Sequence, residues 1–196
     1  AVDRAFLWQT VNEIEYNGVF GDNEHFISAL LRQSFSKNKS NFQSSYGENV
    51  AAEGLYYVAS FNTNESAFGS FGDYKELGYL ALANYSYKDK YVLDLSFRND
   101  GSSRFASGYR FGNFYSVGAA WNISNENFLA DNDIVDDLKL RASFGQTGNN
   151  GIGNNQYQSL FGYGGAYDNN GAVSPSTFGN LIISWETAEL LDVGVD

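Results

Sequence analysis

A short run that begins at Tyr91 carries charged residues at regular spacing. Asp94 and Arg98 alternate in this run with three apolar side chains, Leu93, Leu95 and Phe97. Successive side chains of a β-strand point to opposite faces, so one face is apolar and the other carries an acid and a base. A strand of this kind suits a wall that has lipid on one side and a wet lumen on the other.

Candidate catalytic and metal-binding groups are scarce in the 196-residue chain. It has no Cys and a single His, His25, which excludes thiol chemistry and metal sites built from several Cys or His ligands. We expect His25 to be a hydrogen-bonded or interfacial side chain. Carboxylates are plentiful, but no pattern places two of them across a cleft. We therefore predict no enzymatic activity and no cofactor.

An acidic run suggests calcium at first sight, because it contains Asp131, Asp133, Asp136 and Asp137. The spacing lacks the central Gly and the terminal Glu of an EF-hand loop. A solvated acidic turn is the better interpretation.

The composition favours strands, turns and long loops. Aromatic residues make up 17% of the chain, and Gly occurs 21 times against one Pro. The formal net charge of −11 argues against a nucleic-acid partner. No run of 18 apolar residues predicts a transmembrane helix, whereas barrel strands leave only a weak hydropathy signal. Because the chain lacks Met and stops within an alternating run, we expect a segment of a longer protein.

Alternating apolar and polar residues predict seven strands. These span about residues 7–16, 25–35, 76–87, 91–99, 113–124 and 137–146, with a last strand from about 183 onward. The intervening segments are predicted loops, long at 36–75 and 148–180, with a short helix near 48–57 and one helical turn near 128–129. Short and long connections alternate, so antiparallel neighbours have all the short links at one end, as in outer-membrane barrels. A soluble β-sandwich or jelly roll is the alternative fold.

The alternation assigns side chains to two opposite faces. We expect the lumen-facing charges to be Asp94, Arg98, Lys139 and Arg141. The side chains expected to face lipid are Leu93, Leu95, Phe97, Leu138, Leu140 and Phe144. Neutralisation of the charges across neighbouring strands is a better expectation than direct contact with substrate.

The longer loops supply candidate extracellular residues, namely Asp100, Arg104, Tyr157, Tyr163 and Tyr167. Asp100 and Arg104 either pair and order their loop or belong to a turn whose side chains bond nearby backbone, and we favour the turn. The tyrosines suit stacking on sugar rings and packing of the loop against itself equally well.

Several motifs in the second half of the chain have an order and spacing typical of one family. They are YSYKDKY at 85–91 followed by RNDGSSRF at 98–105, then WNIS at 121–124, LKLRASFGQTGN at 138–149 and WET at 185–187. Together they resemble the SusC/RagA-type TonB-dependent outer-membrane transporters of Bacteroides-like bacteria. The resemblance is strong over 79–196, loose over the first 36 residues and lacking over 36–75 and 149–180. A Pro-containing run usual before the tryptophan is replaced here by Asn-Leu-Ile-Ile-Ser.

The resemblance implies a fold and a function. The family has a 22-stranded antiparallel transmembrane β-barrel, so this all-β chain would supply about seven strands, with residues 1–196 inside one barrel domain. The plug domain and the TonB box would lie outside this chain. Oligosaccharides or peptides would be imported with a SusD-like surface lipoprotein outside and TonB-ExbB-ExbD acting on the N-terminal part. The protein would contact lipid in the outer membrane of a Gram-negative bacterium.

The short turn at 88–90 would then be periplasmic, and the RNDGSSRF end of the same hairpin would be extracellular. Two other functions fit the residues. One is a passive outer-membrane barrel or adhesin, and the other is a soluble β-sandwich that binds glycans.

Overall fold

The computed structural model describes residues 1–50, 52–54, 61–129, 136–168 and 170–196, without the side chains of 50, 61–65 and 163–167. Most of these residues are in β-strands. The strands are β1 Val2–Phe20, β2 His25–Val50, β3 Phe61–Tyr87, β4 Tyr91–Ser102, β5 Phe111–Asn122, β6 Lys139–Asn149, β7 Leu160–Tyr167, β8 Asn170–Thr177 and β9 Glu186–Val195. A 3₁₀ helix at Ile123–Asn125 follows β5. Among the residues described, no helix is long and apolar enough to cross a membrane.

Seven strands form one sheet in the order β1-β2-β3-β4-β5-β6-β9, and every neighbouring pair is antiparallel. The predicted all-β fold and the seven strands are confirmed. The short links at 21–24 and 88–90 and the connection that begins at Ile123 share one edge of the sheet, here called the lower rim. The opposite edge, where β4 ends at Ser102 and β5 begins at Phe111, is the upper rim.

The hairpin turn between β3 and β4 has the geometry that the twist of two antiparallel strands requires. Lys88 and Asp89 both have positive φ, at 52° and 53°, and the Lys90 amide donates to the Tyr87 carbonyl over 2.9 Å. This matches a type I′ turn. The left-handed backbone is held from outside by the Asn122 side chain, which donates to the Asp89 carbonyl over 2.6 Å.

The predicted long loop at 36–75 is wrong. β2 continues to Val50 and β3 begins at Phe61, so both strands run far beyond the end of β4. Residues 36–46 are mostly Ser, Asn, Gln and Lys on both faces, and alternation of apolar residues therefore gives no signal there. Backbone hydrogen bonds in the ladders with β1 and β3 hold the segment extended.

Three smaller expectations also change. The predicted helix near 48–57 is not seen, since 48–50 end β2 and 52–54 form a turn, while residues 51 and 55–57 lie outside the described ranges. The loop at 148–180 contains a second, two-stranded sheet of β7 and β8. The helical turn predicted near 128–129 is a hydrogen-bonded turn in which the Leu129 amide donates to the Glu126 carbonyl over 3.0 Å.

Candidate functional site

The register of the sheet gives it one polar and one apolar face. Leu95 stands between Ala83 of β3 and Val117 of β5, whereas its neighbour Ser96 faces Ser116 and shares a hydrogen bond with it over 2.7 Å. The apolar face is uncovered, with Leu95 42% exposed. Five of the six predicted apolar positions, Leu93, Leu95, Phe97, Leu140 and Phe144, share this face.

Leu138 precedes β6 at the lower rim. Its carbonyl accepts hydrogen bonds from the amides of Ile123, over 2.8 Å, and Ser124, over 3.2 Å. The residue therefore fixes the β5–β6 connection as well as supplying an apolar side chain.

The polar face is concave near the upper rim. A cavity of about 500 Å³ is lined by residues from β1 to β6, including Gln9, Ser34, Glu76, Arg98, Asp100 and Gln146, and by Trp185. The lining mixes acids, a base, amides and hydroxyls with three aromatic residues. Such a surface suits hydrogen bonding to a polar ligand or to a polar protein surface.

The four predicted lumen charges all lie on this polar face, and three of them have close partners. Arg98 pairs with Asp100 of the same strand over 3.0 Å, and Arg141 pairs with Asp196 over 3.2 Å. Asp94 accepts a hydrogen bond from the Asn84 amide directly opposite. Lys139 has no ion-pair partner within the part of the chain that the structure describes.

A fourth base on the polar face, not among the predicted lumen charges, is neutralised across strands. Arg32 of β2 faces Glu13 of β1 directly and binds its carboxylate over 2.5 Å. The sequence signal was available, because the two residues share the polar phase of neighbouring strands.

The RNDGSSRF motif forms the most buried part of the molecule. Phe105 is 0% exposed and Ser102 is 1% exposed. The ring of Trp185 packs on Phe105 and on Phe114, with 5.4 Å between centroids in each pair. The Trp185 indole N–H donates to the Arg110 carbonyl over 2.9 Å, which ties the start of β9 to the β4–β5 loop.

Phe114 needs two glycines to reach this cluster. A Cβ at Gly148 would stand 2.0 Å from the Phe114 ring, and one at Gly112 would stand 2.6 Å from it. Phe114 lies on the polar face of β5, out of phase with the apolar residues of that strand. The position of this large ring among the polar-face residues is a sequence signal for a core residue that the sequence analysis did not use.

Asp100 and Arg104 do not pair with each other. Asp100 lies within β4 rather than in a loop, because the strand runs three residues beyond its predicted end. The Arg104 guanidinium donates to the Asn154 side chain and to the Asn150 carbonyl, over 3.2 Å each, and lies 4.3 Å from the centre of the Tyr74 ring. The motif therefore fastens the loop after β6 to β3 and β4.

The three predicted loop tyrosines fall around the β7–β8 hairpin. Tyr157 precedes β7 and accepts a hydrogen bond from the Gln158 side chain over 2.9 Å. Tyr163 and Tyr167 lie in β7, and their side chains are outside the described part. Asp131 and Asp133 also lie outside the described ranges, and those ranges contain no cluster of metal-ligating side chains.

A row of aromatic rings crosses five strands at the lower rim. Its members are in direct register and belong to the apolar face: Phe20, His25, Tyr87, Tyr91 and Trp121. His25 stacks on Phe20 with 5.0 Å between centroids and shares a hydrogen bond of 2.8 Å with the Tyr85 hydroxyl. The expectation of a hydrogen-bonded His25 is confirmed.

Glu126 fixes one end of this row. Its carboxylate accepts hydrogen bonds from the Lys90 ammonium over 2.9 Å, the Tyr91 hydroxyl over 2.7 Å and the Trp121 indole over 3.2 Å. These donors, with Lys90 the strongest, lower the pKa of Glu126 to about 2.

The chain was compared with known proteins. No protein-family model matches it. It is 31% identical over 195 residues to "TonB-dependent receptor P26" of Formosa agariphila, covering 96% of this chain and 20% of that receptor. It is 34% identical over 131 residues to "TonB-dependent receptor SusC" of Bacteroides thetaiotaomicron, covering 61% of this chain and 13% of SusC. Among solved structures, the RagAB peptide transporter superposes with a TM-score of 0.87 at 28% identity, over 98% of this chain and 22% of the matched chain.

The chain matches a segment of SusC/RagA-type TonB-dependent receptors. The resemblance drawn from the sequence motifs is confirmed, and so is the fold class, because the seven-stranded antiparallel sheet superposes on part of such a receptor. The chain spans about a fifth of the length of the curated relatives that it matches over most of its sequence.

The aromatic cluster of the SusC/RagA-type segment gives a stability prediction. Phe105→Ala removes a fully buried ring and should lower the free energy of unfolding by about 3–5 kcal/mol. Phe128→Ala is the matched control, because Phe128 is 71% exposed, and it should change the value by less than about 0.5 kcal/mol. Urea unfolding of the full-length protein in lipid vesicles measures both. Equal effects of the two changes would contradict the structural role of the motif.

The low pKa of Glu126 gives a pH prediction. Its folded-state pKa lies below the ordinary 4.5, so the carboxylate stabilises the fold at neutral pH and loses this contribution as pH falls from about 4.5 towards 2. The difference in urea midpoint between the native protein and Glu126→Gln should therefore shrink over that range. Glu53→Gln, in the turn at residues 52–54, serves as the control variant. A pH-independent difference for Glu126→Gln would be the contradicting result.

Proposed function

We propose that this chain is part of an outer-membrane TonB-dependent transporter that imports oligosaccharides or peptides. The observation that carries the proposal is the match to the TonB-dependent receptors and to RagAB over nearly the whole chain. One relative is named SusC, and one structural neighbour is called a peptide transporter. Both substrate classes therefore stay within the proposal.

The apolar face is proposed to contact lipid. On β2 it runs from His25, in the lower aromatic row, to Phe35, whose ring meets Trp8 edge-on with 5.4 Å between centroids. The intervening stretch of about ten residues, tilted by about 35–45°, rises roughly 25 Å, the height of a barrel's apolar band. Aromatic rings bound the band at both ends, as at the two interfaces of a membrane.

The polar positions within this band have partners on the same face. Asn12 donates to Gln33 over 3.0 Å, and Asn99 donates to Asn113 over 2.7 Å. The four amides belong to one cross-strand row, which crosses β2 two residues before Phe35. Pairing between them lowers the cost of placing amides near hydrocarbon.

The polar face is proposed to line the lumen. Asp94, Arg98, Lys139 and Arg141 would then meet water, the plug or substrate, and the pairs Arg98–Asp100 and Arg141–Asp196 limit the net field there.

A sandwich needs two packed sheets, whereas the seven main strands form one sheet whose apolar face is uncovered. This favours the barrel over a soluble glycan-binding module.

The remaining parts of the proposal follow from the same relatives. Residues 1–196 would form part of one barrel domain, with the plug and the TonB box elsewhere in the protein. TonB-ExbB-ExbD would supply energy through that part, and a SusD-like lipoprotein would cover the upper rim, which we place outside a Bacteroides-like cell. The lower rim would be periplasmic.

Uptake assays test the proposal. Cells that carry the full-length protein should accumulate labelled oligosaccharides or peptides above external concentration, and the same cells without functional TonB should not. A deletion strain expressing an unrelated outer-membrane porin provides the control. Equilibration of the labelled substrate without TonB would favour a passive barrel. Binding of the substrate to the cells without entry would favour an adhesin. Either result would contradict the proposed active transport.

A further inference from the structure

A cluster of bases lies on the apolar face beyond the upper aromatic pair. Four of the twelve Lys and Arg residues form this basic patch, Arg4, Lys37, Lys39 and Lys75. The chain as a whole carries a formal net charge of −11. A positive patch on so acidic a chain points to a local anionic partner.

The register brings two like charges together. Lys37 of β2 and Lys75 of β3 are direct cross-strand partners. Side chains in such pairs have Cβ atoms about 4.5–5.5 Å apart, and like charges at this spacing destabilise a sheet. None of the four bases forms an ion pair with any residue in the described ranges.

One acid faces the patch. Asp73 is the cross-strand partner of Lys39, which leaves the patch with a surplus of three positive charges. Lys75 and Arg4 are exposed, and Lys37 and Lys39 are half-buried. An anion placed between Lys37 and Lys75 would relieve the repulsion that Asp73 leaves in place.

The patch begins beside the upper aromatic pair, because Lys37 is the cross-strand partner of Trp8, and the rings of Phe6 and Phe71 belong to the same face. Lys37 is the first residue after Phe35 on its face of β2, and Lys75 is the last before Leu77 on its face of β3. Arg4 lies further along the same face, opposite Asn41 and next to Phe6, which is the cross-strand partner of Lys39. Bases at this height stand level with headgroups when the apolar band lies in hydrocarbon.

We propose that the basic patch binds the phosphate-bearing headgroup of an anionic lipid in the outer leaflet. The inference rests on the proposed function, because it needs the apolar face in the membrane and the upper rim outside. Phosphate fits the site chemically, since its oxygens accept hydrogen bonds from several ammonium and guanidinium donors at once. The patch faces away from the cavity, so it serves the membrane rather than the transported substrate.

Lipid binding by the full-length protein tests the proposal. The protein in dodecyl maltoside is titrated with diphosphoryl lipid A, and bound lipid is counted by native mass spectrometry. Lys37→Gln with Lys75→Gln should weaken binding about tenfold or more. Native protein should bind dephosphorylated lipid A as weakly as the double variant binds the diphosphoryl form.

Lys88→Gln is the matched control, because Lys88 lies at the lower rim and pairs with Glu24 over 2.8 Å. If the double variant binds lipid A with unchanged affinity while uptake and membrane insertion are normal, the lipid-binding role of the patch is wrong and the proposed function stands. Loss of binding with Lys88→Gln instead would place the lower rim outside and overturn the orientation. A protein that does not insert into membranes would refute the proposed function itself.

Discussion

Backbone hydrogen bonding between antiparallel neighbours is the constraint on which the structure depends. Once Leu95 is fixed opposite Ala83 and Val117, every second residue of three strands shares its face. A one-residue slip would bring Asp94 and Arg98 to the apolar side. The same ladders satisfy the N–H and C=O groups that hydrocarbon cannot, so in the proposed barrel one set of bonds provides both the two-faced pattern and the means of crossing a bilayer.

The two rims are built from different interactions. The lower rim relies on aromatic stacking and on Glu126, which gathers three donors around one carboxylate. The upper rim relies on burial, with Phe105 enclosed beneath Trp185 and Arg104 fastening the loop after β6. A wall with uncovered faces has little core of its own, and the buried cluster found among the described residues lies where three connections meet.

Sequence alternation predicted the seven strands and the two faces because a sheet with one apolar and one polar face imposes a period of two. It failed over 36–75, where both faces of β2 are polar and pairing with β1 and β3 alone sets the conformation. The ion pair between Asp100 and Arg98 was not predicted, because the sequence placed the end of β4 at residue 99 and Asp100 in a loop. Phe114 was readable in principle, because a large ring in the polar phase beside two glycines marks a local core.

The assignment of the two faces is the central claim, and arginine substitution at adjacent residues of β4 tests it most directly. The free energy of folding into phosphatidylcholine vesicles is measured for the full-length protein with Leu95→Arg and, separately, with Ser96→Arg. Leu95→Arg should cost about 2–4 kcal/mol, because it places a charge near the middle of the bilayer. Ser96→Arg, facing the lumen, should cost much less. Equal costs at the two positions would contradict the account.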